Sequence, residues 1–120
     1  MSPTGPTRTA LLDAWRSEHS AAVAARAVGD RHGEWRHLER AHILSQPMAG
    51  PHVRTHLAML AFGIRNRDAR EILGQLARTA VAGPGTLTGR YPTGNTGEAN
   101  VRATEVMPIP ADLRSILDRA

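Results

Sequence analysis

An all-α fold follows from three features of this 120-residue chain. Apolar residues recur at helical spacing, Ala and Leu outnumber the aromatic and β-branched residues, and Gly, Pro and Asp fall at intervals that suit helix termini. The length fits one domain around one core. The expected organisation is a flexible N-terminus over 1–9 and a single helical domain over 10–120.

The first helix is predicted from Ala10 to Val28, with Thr7 or Thr9 as cap and Leu11, Leu12, Trp15, His19, Ala22, Val23 and Ala27 approximating an apolar face. Gly29-Asp30 closes it. A second helix runs from near Gly33 to Ser45 and ends at Pro47. After the loop chemistry of Pro47 to Gly50, Pro51 opens a third helix reaching Arg65. That helix carries Val53, Leu57, Leu60 and Ile64 on one face and His52, His56, Met59 and Gly63 on the neighbouring one, so it has two things to contact. Asp68 is the expected N-cap of a fourth helix, Ala69 to Ala82, with Ile72, Leu73, Leu76 and Val81 apolar and Glu71 and Gln75 at i, i+4.

From 83 to 110 the chain is rich in turn formers: Gly83-Pro84-Gly85, Gly89-Arg90-Tyr91-Pro92 and Gly94-Asn95-Thr96-Gly97. No helix or regular strand is expected there. Leu87, Tyr91, Val101 and Met107 would anchor this long loop along the helices, and a short C-terminal helix over 111–118 would dock through Leu113, Ile116 and Leu117. The predicted architecture is therefore a four-helix up-down bundle or a pair of tetratricopeptide-like helical hairpins, with a long Gly/Pro-rich loop and the short C-terminal helix. Two helix-turn-helix units roughly 36 residues apart favour hairpins, though such arrays usually need three units and most of their aromatic positions are missing here.

Composition removes several function classes. No stretch approaches the roughly 18 to 20 apolar residues of a membrane span, and Met1 to Arg8 lacks an apolar signal region, which leads to the expectation of a cytoplasmic protein with no membrane partner. Cysteine is absent, so any metal must be held by imidazole, carboxylate or amide, and soft Cu(I) sites are disfavoured. All 15 basic residues are Arg, but they are spread from Arg8 to Arg119 and the formal charge is only +4, which argues against a nucleic-acid footprint. Neither a Ser-His-Asp or Cys-His arrangement nor an H-E-x-x-H motif can be argued, so no established catalytic motif identifies an enzyme. The Gly94–Gly97 turn with Arg90 offers a backbone nest for an anion, but it lacks the Lys-Ser/Thr pair and preceding strand of a phosphate-binding loop, and a structural turn is the simpler reading.

The second helix is polar where it should be greasy. At about 100° per residue Glu39, His42 and Gln46 share one side, flanked by Trp35, Leu38 and Ile43. Across the hairpin, His52 and His56 form an i, i+4 pair that can chelate one ion from a single helical turn. An unpaired carboxylate or imidazole in an apolar seam costs several kcal/mol, and one divalent cation would satisfy all four groups. The candidate metal ligands are thus Glu39, His42, His52 and His56, with Gln46 closing the set or orienting a ligand. Glu71 and Gln75 are a further polar rung facing the site or, alternatively, exposed partners of Arg67, Arg70 or Arg78. The bland alternative for Glu39 and His42 is a satisfied hydrogen-bonded pair. Glu34 and His37, at the same i, i+3 spacing but on the opposite face, are expected in solvent, as are His19 and His32. Met59 is expected as core filler.

The segment Trp35-Arg36-His37-Leu38-Glu39-Arg40-Ala41-His42-Ile43-Leu44-Ser45-Gln46, followed by His52-Val53-Arg54-Thr55-His56-Leu57-Ala58-Met59-Leu60, Arg70-Glu71-Ile72-Leu73-Gly74-Gln75, Gly94-Asn95-Thr96-Gly97 and Met107-Pro108-Ile109-Pro110-Ala111-Asp112-Leu113, resembles an uncharacterised bacterial family, number 3703 in the domain-of-unknown-function series. The resemblance covers nearly the whole chain after about Ala24 and implies a small stand-alone helical domain. It brings no established activity.

Three functions are compatible with these residues. The first is binding of a borderline divalent cation (Zn, Ni, Co or Fe) for storage, buffering or sensing. The second is a metalloenzyme in which only three groups bind, the open position activates water and Glu39 acts as base. The third is a non-metal scaffold whose hairpin groove binds a partner protein, the polar seam fixing helix register. Ligand count separates the first two. A homodimer is compatible with all three.

Overall fold

The computed structural model describes residues 5–87 and 106–119. Five helices follow one another: α1 (Gly5–Ala27), α2 (Arg31–Ser45), α3 (Ala49–Arg65), α4 (Ala69–Leu87) and α5 (Ala111–Asp118). No strand occurs among the described residues, so the fold is all-α. None of these helices is long and apolar enough to cross a membrane. The chain packs as two helical hairpins, α1 on α2 and α3 on α4, joined where α2 meets α3, while α5 lies against α1 and α2.

The two hairpin turns use one device. Gly29 takes a positive φ of 75°, the N–H of Asp30 bonds back to the Ala25 carbonyl at 2.9 Å, and the Asp30 carboxylate accepts from the Gly33 N–H at 2.9 Å. The left-handed residue ends one helix and the aspartate starts the next. At the α3–α4 turn Arg67 takes the left-handed position with φ 54°, Asp68 N–H bonds to Gly63 O at 2.9 Å, and the Asp68 carboxylate accepts from Glu71 N–H at 3.1 Å. A side chain at that φ costs about 1 kcal/mol that glycine avoids.

Helix limits differ from the sequence expectation in three places. α1 starts at Gly5 instead of Ala10, with Pro6 in its first turn, where a missing N–H breaks no helical bond. The α2–α3 connection is shorter than the four residues expected. α2 ends at Ser45, the Met48 N–H bonds to the Ser45 carbonyl, and α3 already begins at Ala49, so that Pro51 falls inside its first turn. α4 continues through Gly83-Pro84-Gly85 to Leu87, so the expected break at Ala82 is not seen. Pro84 forgoes one helical hydrogen bond there but does not end the helix. The anticipated loop packing of Tyr91 and Val101, and the Gly94–Gly97 turn, lie outside the described residues.

Two apolar clusters hold the hairpins. Leu11, Trp15, Ala41, Ile43, Leu44, Met48 and Leu113 form one between α1, α2 and α5; Ala22, Leu38, Met59 and Phe62 form the other, joined by Trp35. Met59 is core, as its spacing suggested. α3 does not use both of its faces equally. Leu57 and Ile64 are 48% and 57% exposed, whereas His52, His56, Met59 and Gly63 are buried. Gly63 explains part of this choice, because a Cβ there would lie 3.3 Å from Glu71 Cβ and 3.4 Å from the Ile72 side chain. The absence of a side chain lets α4 close onto that face of α3. Leu73 and Leu76, two of the apolar residues of α4, are exposed.

Candidate metal centre

His42 reaches the seam from the last turn of α2, between the buried Ala41 and Ile43, and His52 and His56 reach it from successive turns of α3. Their Nε2 atoms form a triangle with sides of 3.1 Å (His42–His56), 3.2 Å (His42–His52) and 3.3 Å (His52–His56). The ring centroids are 4.7–5.0 Å apart; His42 meets the other two rings edge-on, and His52 and His56 are tilted by 40° to each other. All three residues are buried, at 3%, 6% and 3% exposure.

His56 has a defined tautomer. Its Nδ1 lies 2.6 Å from Oε1 of Gln75, and the Gln75 amide nitrogen donates to the Glu71 carboxylate at 3.0 Å. A carboxylate accepts and does not donate, so Gln75 must present NH2 to Glu71 and its oxygen to His56. His56 therefore carries its proton on Nδ1, and Nε2 points a lone pair into the triangle. Burial pushes His56 below the ordinary imidazole range; the Gln75 bond opposes this and the nearby Arg78 charge adds to it. The neutral form results.

No distribution of protons satisfies the triangle internally. Each Nε2 offers its neighbours either a hydrogen or a lone pair, and among three such groups at least two must be of one kind. One contact near 3 Å is then repulsive whichever tautomers are drawn. A central cation converts all three into acceptors bound to one ion. For metal–nitrogen bonds of about 2.0–2.1 Å, tetrahedral ligands sit about 3.3–3.4 Å apart and octahedral cis ligands about 3.0 Å apart, and the observed sides lie between these limits. The described residues contain this one group of three or more His, Asp or Glu able to hold a metal ion.

The sequence-predicted residues divide as follows. His42, His52 and His56 come together, and Glu71 and Gln75 are buried behind His56, at 6% and 0% exposure, not in solvent. Gln46 is buried at the C-cap of α2, one turn beyond His42. Glu39 is set apart. It is half-buried and lines a hollow of about 440 Å³ with Glu18, Arg36, His37, Arg40, Ile43, Pro108 and Pro110, and it is not among the converging ligand atoms.

Three residues expected in solvent, Glu34, His37 and His19, are buried or half-buried. Glu34 is buried at 5% exposure and pairs with Arg65 through two oxygens at 2.6 and 3.2 Å, while His37 Nδ1 donates to Glu18 at 2.7 Å. Arg40 bonds the second Glu18 oxygen at 2.8 Å and also pairs with Asp112 of α5. His19 is half-buried rather than exposed, and burial lowers its pKa. Its Nε2 donates to the Thr55 hydroxyl at 3.3 Å; that oxygen also accepts from Trp15 Nε1 at 2.9 Å and donates to the Pro51 carbonyl at 2.9 Å. Sequence reasoning missed Thr55, whose saturated hydroxyl ties α1 to the turn of α3 that carries His52 and His56. The only hint was that Trp15 and His19 share a helical face.

A family model with the description "Protein of unknown function (DUF3703)" matches residues 9–117, and the chain belongs to that family. No curated protein and no solved structure matches it.

Proposed function

We propose that this protein binds a divalent transition metal (Zn, Ni, Co or Fe) through Nε2 of His42, His52 and His56. The observation that carries the reading is the triangle of three Nε2 atoms at 3.1–3.3 Å, too close to be left to one another and sized for one ion. Neutral imidazoles suit borderline divalent ions better than the oxygen-seeking Mg or Ca. Three protein ligands leave the ion at least one further position, for water or another small ligand. Exposures of 6% or less give solvent little contact with the ligands, which favours holding an ion, as in buffering or sensing, over turning over a substrate.

The ligand count also supports a second reading. Three histidines with an open position can lower the pKa of a bound water, and a hydrolytic metalloenzyme follows if substrate can reach it. Hydrolysis of an activated ester by metal-loaded protein, absent from the His56→Leu variant, would favour this over simple binding.

Metal analysis and thermal melting of protein purified without a His tag test the binding itself. An ion that binds only the folded chain adds about 2.7 kcal/mol at about one hundred times its dissociation constant. Zinc or nickel is expected to raise the melting temperature, and a chelator to lower it if metal was retained. A melt indifferent to Zn, Ni, Co, Mn and Fe(II) at neutral pH overturns the reading.

A further inference from the structure

The Glu71–Gln75–His56 chain does more than fill a buried seam. A free neutral imidazole carries its proton mainly on Nε2, the atom that here faces His42 and His52. If His56 did so, a hydrogen would point into the triangle and an arriving ion would have to drive the proton round to the other side of the ring. Gln75 prevents this by accepting from Nδ1 at 2.6 Å, and it can accept only because Glu71, at 3.0 Å, takes the amide hydrogens and fixes which end of the amide faces His56.

The fold supplies the distances. Glu71 and Gln75 are one turn apart on α4, and Glu71 starts that turn where its own N–H is capped by Asp68. Gly63 lets α4 approach α3 closely enough that a Cβ there would lie 3.3 Å from Glu71 Cβ. The side chains of Glu71, Gln75 and His56 are all buried, with Gln75 at 0% exposure, which shields the amide from bulk solvent.

We infer that Gln75, oriented by Glu71, is a tautomer lock that holds the His56 Nε2 lone pair toward the centre before any ion arrives, and that these two positioning residues set the metal affinity of the three-histidine site. The second half rests on the metal reading above; the lock itself is a property of the metal-free chain. Outer partners that orient a metal-bound histidine are worth about 10- to 100-fold in affinity. The role differs from structural packing because it depends on the direction of each hydrogen bond.

Long-range proton–nitrogen NMR of the histidine rings in metal-free protein, combined with zinc affinity by competition with a chromophoric chelator, tests this. The wild-type His56 ring is expected as the Nδ1–H form. In Gln75→Leu the ring should turn to the Nε2–H form and the zinc dissociation constant should rise about 10- to 100-fold. The double change Glu71→Gln with Gln75→Glu reverses the bond between these two side chains but keeps an acceptor against His56 Nδ1, so it should restore both the tautomer and most of the affinity. A wild-type His56 in the Nε2–H form overturns the lock, whether or not any variant folds. An unchanged dissociation constant in Gln75→Leu, with the tautomer switched, overturns its bearing on affinity. Absence of zinc binding by a wild-type chain that does show the Nδ1–H form would instead refute the metal reading and leave the lock standing.

Discussion

α2 carries two polar clusters within two turns, and they are built on opposite principles. Around Glu18 the partners are of opposite kinds: His37 and Arg40 donate to its two oxygens, and Arg40 goes on to Asp112. The Glu34–Arg65 pair is closed in the same sense, two donors on two acceptors. Around His42 the partners are of one kind, three imidazole nitrogens meeting at 3.1–3.3 Å. Proximity is similar in both cases, so the number of contacts does not distinguish them. Complementarity does: the first cluster pairs donors with acceptors, and the second gathers three like groups that, on the proposed reading, a cation completes.

The largest expected effect comes from opening the closed cluster. Arg65→Leu leaves the Glu34 carboxylate buried at 5% exposure without its bidentate partner, which should cost about 3 kcal/mol in denaturant unfolding. The zinc-induced rise in melting temperature should survive. Loss of that response in Arg65→Leu would mean that the two clusters are not independent.

His56→Leu attacks the other side of the comparison. Its metal-dependent stabilisation, about 2.7 kcal/mol at about one hundred times the wild-type dissociation constant, should largely vanish. Without metal the variant should lose about 1–3 kcal/mol, because Gln75 Oε1 loses its buried hydrogen bond to the His56 ring. Melting curves with and without zinc separate the two terms. A variant that responds to zinc as the parent does would show that the ion sits elsewhere.

Acid should act on the buried imidazoles. Burial holds both His19 and His56 below the ordinary value of 6.5, so the unfolded chain takes up these protons before the folded one does. Stability should therefore be level above about pH 7.5 and fall as pH drops through 6.5 toward the folded-state values. Metal-free denaturation curves between about pH 8 and 5 measure this, and replacing His19 with Gln should make the decline shallower. Stability that rises on acidification would contradict the burial of these rings.

The smallest effect is expected at the outer edge of the closed cluster. The Asp112 side chain is 61% exposed, so its ion pair with Arg40 is screened by water, and Asp112→Ala should cost no more than about 1 kcal/mol in the same unfolding experiment. A larger loss would show that α5 depends on this pair rather than on Leu113 packing.

What could be read from the sequence was local. Helix existence, the Asp68 cap, the i, i+4 relation of His52 to His56 and that of Glu71 to Gln75 follow from spacing along one helix, and the structure keeps them. The facing of α3 did not follow, because Val53, Leu57, Leu60 and Ile64 form as good an apolar stripe as any; what selects the other face is a close approach at Gly63 to a helix that the local pattern cannot place. The placement of Glu34 and His37 escapes the sequence for the same reason. Their partners, Arg65 and Glu18, are far away in the chain, and i, i+3 spacing carries no information about them. Sharing a helix side with His42 puts Glu39 within angular reach of the site, but its carboxylate is not among the three converging ligand atoms, and helical spacing alone does not fix where a side chain ends.

The central claim is that one ion sits among three imidazoles, and X-ray absorption at the zinc edge of the loaded, untagged protein examines it most directly. The account predicts three nitrogen neighbours at about 2.0–2.1 Å with the outer-shell scattering of imidazole rings, joined by at least one oxygen from a non-protein ligand, and a spectrum that loses one imidazole or the zinc altogether in His56→Leu. A zinc shell made only of oxygen, or one unchanged by His56→Leu, would contradict it.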